Sequence, residues 1–301
     1  MNLHNNLLEF EILISHASEY YEIAKEIVEK DYYVTLILKA TKERIPNMIF
    51  KGGTSLSKCH KIIDRFSEDI DLTLDREYLT QSKRRFLKEE VLKICNDLKF
   101  NVNNKESLRS KRDYNMYMID YNSLYDYGGI DNVIRMEIVS FINSFPTEVK
   151  QVSSIIYDYL KETNNDHIIE LYNLEPFDMN VQTLDRTLVD KVFAICDYMI
   201  SNKTERLSRH IYDIYQLLRK IKLDDDLKPL INEVRNLRKS HTNCYSSKDG
   251  VKINELLHQI IDTAYYKEDY INVTEKLLSK KIKYEEVILG LQQIIESKVF
   301  E

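Results

Sequence analysis

The sequence predicts an α+β protein, a mixed sheet flanked by helices over residues 1–180 followed by a helical region over residues 181–301. Three observations lead there. Only six glycines and four prolines punctuate the 301 residues, so regular elements should be long and helices should dominate. After Pro46 the apolar spacing shortens from the helical period to the strand period. After Pro176 the strand signal fades, and helical spacing runs on from Thr183.

Taken in order, residues 5–28 place Leu8, Ile12, Ile23 and Ile27 at helical spacing. Residues 31–43 form a second helix that stops ahead of Pro46, because the residue before a proline is pushed out of helical backbone. Asn47-Met48-Ile49-Phe50 reads as a short buried strand ending at Gly52-Gly53. Residues 54–63 read as a helix, 70–74 as a strand and 80–98 as a helix. Residues 113–121 and 132–142 alternate in polarity as strands do. Between them Asp126-Tyr127-Gly128-Gly129 makes a turn joining antiparallel neighbours. Helices follow near 184–200, 204–220, 226–239, 252–266 and 284–298, with no internal repeat and no low-complexity tract.

Composition narrows the class. The chain is 43% hydrophobic and 31% charged, with no apolar run long enough to span a bilayer. The N-terminal MNLHNNLLEFEILISHA lacks the basic flank and small-residue cleavage site of a secretory signal. Cys59, Cys95, Cys196 and Cys244 are scattered without a CxxC pair, which argues against a zinc site or a disulfide framework and for a reducing cytoplasm. A net charge of -6 does not advertise a nucleic-acid partner. Local basic runs at Lys83-Arg84-Arg85, residues 109–112 and residues 235–239 read as solvated faces or as a nucleic-acid groove.

The chemically informative stretch is FKGGTSLSKCHKIIDRFSEDIDLTL, residues 50–74. Gly52-Gly53 follows a buried strand and precedes a helix, so the backbone can approach a bulky anion and the first helical N–H groups can face it. Thr54 and Ser55 add hydroxyls at the same place, as a triphosphate would need. Asp69-Ile70-Asp71 then sets two carboxylates two residues apart. On a strand such residues share one face, with Cα atoms roughly 6.7 Å apart. Two carboxylates so placed can grip a pair of Mg²⁺ ions separated by roughly 3.5–4 Å. Ile70 between them points into the core.

Two-metal phosphoryl chemistry calls for a third carboxylate on a neighbouring strand, and Glu137 is the candidate. Alternation puts it on one face with Arg135 and Val139, opposite Met136 and Ile138. Asp120 and Asp131 compete for the role. Other nucleotide motifs do not fit, since the chain has neither GxxxxGK[ST] nor GxGxxG. HExxH and the GxSxG elbow are absent too.

Five stretches together resemble a known family. EKDYYVTLIL (29–38), FKGGTSLSK (50–58) and RFSEDIDL (65–72) closely resemble the AbiEii/AbiGii nucleotidyltransferase toxins of bacterial abortive-infection and toxin–antitoxin systems. TLVDKVFAICD (187–197) is similar to that family's lysine motif, and RHIYDIYQL (209–217) to its closing Arg/Asp motif. The resemblance implies a polymerase-beta-like nucleotidyltransferase core with a helical C-terminal domain. Carried over residue by residue, Gly52, Gly53, Thr54 and Ser55 line the phosphates. Ser67, Asp69 and Asp71 form the metal end, and Lys191 and Asp213 complete the site. Arg65 and Arg209 match nucleotide-binding motif positions, while Glu137 remains an inference from strand alternation.

The expected function is therefore Mg²⁺-dependent transfer of NMP from an NTP to an acceptor hydroxyl, with release of pyrophosphate. By analogy with the family the acceptor is the 3′ end of tRNA, and a cognate antitoxin restrains the enzyme. Transfer to a protein or small-molecule hydroxyl is the second enzymatic reading. A module that binds a nucleotide or partner without catalysis is the third. It would need a broken carboxylate set, whereas Asp69 and Asp71 are both present.

Overall fold

The computed structural model describes residues 1–74, 80–125, 131–140 and 145–301. The chain forms two compact units, Met1–His60 with Ser67–Val181, and Lys61–Phe66 with Gln182–Glu301.

The first unit opens with α1 (Leu7–Tyr21) and α2 (Lys25–Arg44). The expected break before Asp31 does not occur. It falls instead at Glu22, whose left-handed backbone (φ 55°) closes α1 with an N–H bond to the Ser18 carbonyl. Asp31 lies inside α2, where its carboxylate accepts from Lys58 Nζ (2.5 Å) and the Ile155 N–H (2.8 Å). It serves partners elsewhere in the unit instead of capping a helix.

Then come β1 (Met48–Lys51), α3 (Gly52–Lys58), β2 (Ile70–Leu74), α4 (Gln81–Asp97), β3 (Asn101–Val102), β4 (Tyr114–Asp120) and β5 (Val133–Val139). β6 (Thr147–Val152), α5 (Ile155–Glu162), α6 (Asp166–Tyr172) and β7 (Phe177–Gln182) complete the sequence. The seven strands form one mixed sheet in the order β3-β4-β5-β2-β1-β7-β6. β2 runs antiparallel to β1 and parallel to β5, while β7 runs parallel to β1. The register sets Asp71 opposite Lys51 on one side and Glu137 on the other.

Period-two alternation explains the burial. Ile134, Met136 and Ile138 of β5 enter the core, whereas Arg135, Glu137 and Val139 stay half-buried on the opposite face. Ile70 is fully buried between its acidic neighbours. Phe10 of α1 and Tyr32 of α2 meet at a 54° tilt with ring centroids 4.8 Å apart, and such a pair adds roughly 0.5–1.5 kcal/mol beyond its buried area.

Several elements depart from expectation. The helix expected at 54–63 stops at Lys58, where the Cys59 and His60 N–H groups both close onto the Ser55 carbonyl. β6, α5, α6 and β7 fall where the sequence carries weak signals. β6 reads TEVKQV, a polar strand at the sheet edge. β7 starts directly after Pro176, a position a strand tolerates because its first N–H can go unpaired. Its Asp, Asn and Gln alternate with buried Met179 and Val181. The expected turn at 126–129 lies outside the described residues, as does the expected strand end at 141–142.

Past β7, the second unit contains α7 (Leu184–Ile200), α8 (Arg209–Leu218), α9 (Lys228–Lys239), α10 (Ile253–Asp262) and a last helix, Leu289–Ser297. Thr183 caps α7 by accepting the Arg186 N–H. α7 is buried along nearly its whole length, with the charged Arg186, Lys191 and Asp197 among its buried residues. α8 begins at Arg209 and not near 204, because the chain first turns through a left-handed Arg206 (φ 59°). Asp197 of α7 accepts from Arg238 Nη2 of α9 and from the Ser246 N–H, each at 2.6 Å. Among the described residues no helix is long and apolar enough to cross a membrane. All four cysteines are free thiols.

Candidate active site

The first unit holds the glycine turn and the acidic residues together. At Gly52 the backbone is left-handed (φ +78°), which only glycine adopts without strain. A Cβ placed there would lie 1.9 Å from Asp71 Oδ2. The turn is thus pressed against the carboxylate, and no other residue fits. Thr54 Oγ1 lies 3.0 Å from Ser67 Oγ, tying the first turn of α3 to the segment that leads into Asp69. Ser55 is buried, and its hydroxyl donates to the Gly52 carbonyl at 2.9 Å, bracing the turn from within.

Asp69 Oδ1 is buried with no hydrogen-bond partner among the described residues. A carboxylate oxygen in that condition costs roughly 1–3 kcal/mol or more unless a cation or donor meets it. Glu137 faces the same charges. Burial pushes its carboxyl up, and Asp71 and Asp69 add to the effect, so that it titrates at about 7 against an ordinary 4.5. The Tyr114 hydroxyl donates to it, favouring its ionised form. Both aspartates therefore act on one face of the sheet, the face that Glu137 occupies. The three carboxylates are not gathered into a ready-made cage, since no group of three His, Cys, Asp or Glu among the described residues could hold a metal ion as placed. The Asp69–Asp71 pair fits a divalent cation on its own, through hard carboxylate oxygens, one of them orphaned.

The competing acids are engaged elsewhere. Asp120 accepts the side-chain amides of Asn101 (3.1 Å) and Asn103 (2.8 Å). Asp131 pairs with Arg135 and with Lys30.

Three consecutive charges on α2 hold this unit's functional segments, and sequence reasoning assigns them no part in the site. Glu29 accepts from Ser123 Oγ (2.5 Å) and the Leu124 N–H (2.7 Å). Lys30 is fully buried; its ammonium meets Glu68 at 2.5 Å, the Asp131 carbonyl at 2.8 Å and the Asp131 carboxylate at 3.0 Å. Asp31 pairs with Lys58 at the end of α3. One helix thus grips the residue before Asp69, the approach to β5 and the far end of α3. The available signal was the run Glu29-Lys30-Asp31, three charges in a helix that also carries Val28, Tyr32, Tyr33 and Val34 into the core.

The second unit holds a separate cationic cluster. Asp213 of α8 is fully buried and accepts from Arg65 Nε (2.7 Å) and Nη2 (2.8 Å) and from Lys191 Nζ of α7 (2.7 Å). Burial alone would raise its carboxyl, but Arg65 and Lys191 overcome that and hold it far below the usual carboxylate range. His210 Nδ1 lies 3.3 Å from Lys191 Nζ. Burial first, then the Lys191 charge, pushes His210 well down, so its imidazole is neutral and can accept from that ammonium. Arg209 Nε donates to the Arg206 carbonyl at 3.0 Å. Arg65, Lys191, Asp213 and Arg209 thus belong to one unit, and Gly52, Gly53, Thr54, Ser55, Ser67, Asp69, Asp71 and Glu137 to the other.

The family model for the nucleotidyl transferase AbiEii toxin of type IV toxin–antitoxin systems matches residues 37–291. The chain belongs to this AbiEii family. The match takes in the glycine turn, both aspartates, Glu137, Lys191 and Asp213, while Glu29, Lys30 and Asp31 precede it. Membership implies a nucleotidyltransferase, with a nucleotide substrate and an antitoxin partner. No curated protein matches the chain closely enough to add to this.

Proposed function

We propose that this AbiEii-family chain is a Mg²⁺-dependent toxin with a polymerase-beta-like core that transfers NMP from an NTP to the 3′ end of tRNA. The observation that carries the reading is the buried, unpartnered oxygen of Asp69, beside an Asp71 against which only a glycine can pass. Asp69 and Asp71 would hold the magnesium, which when bound supplies positive charge for the phosphates and for the attacking oxygen. The N–H groups of the Gly52–Ser55 turn and the Thr54 hydroxyl bind and orient the triphosphate. Glu137, poised at about 7, receives the proton of the acceptor hydroxyl as that oxygen bonds the α-phosphorus and pyrophosphate departs. Lys191, held by Asp213 and His210, is the cation that the family resemblance assigns to this chemistry.

Incubation of radiolabelled NTPs and Mg²⁺ with separate tRNA, protein and small-molecule pools tests the reading. Label is expected in the tRNA pool, and label confined to protein or metabolites would move the acceptor there. Asp69→Ala and Asp71→Ala should each lower transfer by about 10²–10³-fold, as removal of a transition-state electrostatic partner does. Near-normal transfer by either purified variant would defeat the assignment.

A further inference from the structure

We propose that the cationic face made by the first turns of α4 and the loop of residues 105–113 is the docking surface for an RNA acceptor strand. The proposal deepens the functional reading above and rests on it for the identity of the acceptor.

Charge is segregated in this chain. Residues 81–113 hold ten lysines and arginines against five aspartates and glutamates, inside a protein whose total is -6. Of the five acids, Glu89 and Glu90 pair with Arg85 and Lys93 along α4, and Asp113 pairs with Arg84 at 2.6 Å. Lys83, Arg85, Lys105, Arg109, Lys111 and Arg112 are all exposed. Exposed cations gathered on two adjoining segments attract a polyanion whatever its sequence.

The two segments adjoin. Lys88 Nζ donates to the Leu108 carbonyl at 3.0 Å, and the Arg84–Asp113 pair closes the same gap. The loop is also held in shape. Asn115 at the start of β4 accepts the Arg109 N–H (2.9 Å) and donates to the Arg109 carbonyl (3.0 Å). Asn104 donates to the Met116 carbonyl at 2.8 Å. Cations on a pinned loop lose less freedom on binding than cations on a loose one.

The face leads into the candidate site. β4 begins one residue after the loop with Tyr114, and the Tyr114 hydroxyl donates to Glu137. Met116, two residues on, is paired in register with Glu137. A strand whose phosphates lie along the 105–113 loop therefore has its end directed along β4 toward the carboxylate edge. Tyr114 is 40% exposed and Phe86 of α4 is 48% exposed, so both offer ring surface to unpaired bases.

The test uses the full-length protein, fluorescein-labelled 20-nucleotide RNA and bulk tRNA as probes. It compares wild type with a quadruple variant, Lys105→Ala, Arg109→Ala, Lys111→Ala and Arg112→Ala, and with the double charge reversal Lys111→Glu, Arg112→Glu. Both should leave NTP affinity unchanged, and the double variant keeps the test open should the quadruple one fold poorly. RNA affinity should fall at least about 10-fold, with a log–log salt slope shallower by about 3 in the quadruple variant and by at least about 1.4 in the double one, near 0.7 per lost phosphate contact on a single strand. KM for RNA should rise with kcat little changed. Wild-type RNA affinity and slope in both variants would overturn the proposal. So would loss of antitoxin binding with RNA binding intact, which would make the face a protein-docking surface. If wild type binds RNA through these residues yet adds no nucleotide to it, the RNA-binding surface stands and the reading of RNA as acceptor falls.

Discussion

At Gly52 one hydrogen in place of a methyl group decides whether the site can exist. Gly52→Ala would combine a strained φ of +78° with a Cβ that needs the space of Asp71 Oδ2. Displacing a positioning group by about 1 Å can cost on the order of 10²-fold in rate. The variant should therefore lose about that much NMP transfer and bind Mn²⁺ more weakly in an EPR titration; unchanged Mn²⁺ binding would show that Asp71 had room to move. Glu137 gives a pH signature. Its folded carboxyl titrates at about 7 against 4.5, so the folded state holds the proton more tightly than the unfolded chain. That contribution to stability is full below pH 4.5 and disappears as pH rises through 7. The melting temperature of wild type should thus drop relative to Glu137→Gln between pH 5 and 8. Mg²⁺ held by Asp69 and Asp71 should lessen that drop, because it offsets the two charges that help raise the Glu137 carboxyl. Equal slopes for the two proteins in calorimetry would remove Glu137 from the acidic cluster.

At the scale of elements, α2 is the member that the rest of its unit leans on. Lys30→Met would remove a fully buried cation that serves both Glu68 and Asp131. Breaking a buried pair from one side costs about 3–5 kcal/mol. Chemical denaturation should register a loss of that size, and Lys30→Arg should recover part of it. A change under about 0.5 kcal/mol would mean that Glu68 finds another partner. α7 and α8 are joined in the second unit by Asp213, whose depressed carboxyl makes the opposite pH prediction. Its stabilisation is fully present above an unfolded value of 3.8 and is lost only as pH falls through the much lower folded value. Asp213→Asn should therefore be less stable than wild type at pH 7, with the gap closing as pH falls below about 4. A gap that stayed constant down to pH 2 would separate Asp213 from its cations. Elements with a strong local signal were legible in advance, among them β1, β2 and α7, where apolar spacing and the bounding residues agree. β6 and β7 were not, because half of an edge strand or polar strand faces water and its alternation looks like loop.

For the whole molecule, the family assignment and the chemistry meet in one cellular test. Expression of the chain should slow growth and leave added nucleotides on tRNA 3′ ends, and Asp69→Ala should abolish both. Toxicity that persisted in that variant would mean the protein acts by occupying a partner rather than by transfer. The sequence by itself determined the mixed α/β character, the glycine turn, the paired aspartates and the family resemblance, since these are local patterns or fixed spacings. Only the tertiary structure decided what Glu29, Lys30 and Asp31 do, that Asp213 is shared by Arg65 and Lys191, and that Lys61–Phe66 goes with the second unit. The physical reason is that a charge's partner is set by which segments pack together. Residues 30 and 68, or 65 and 213, come together only after a core has formed, and no period in the chain encodes that meeting.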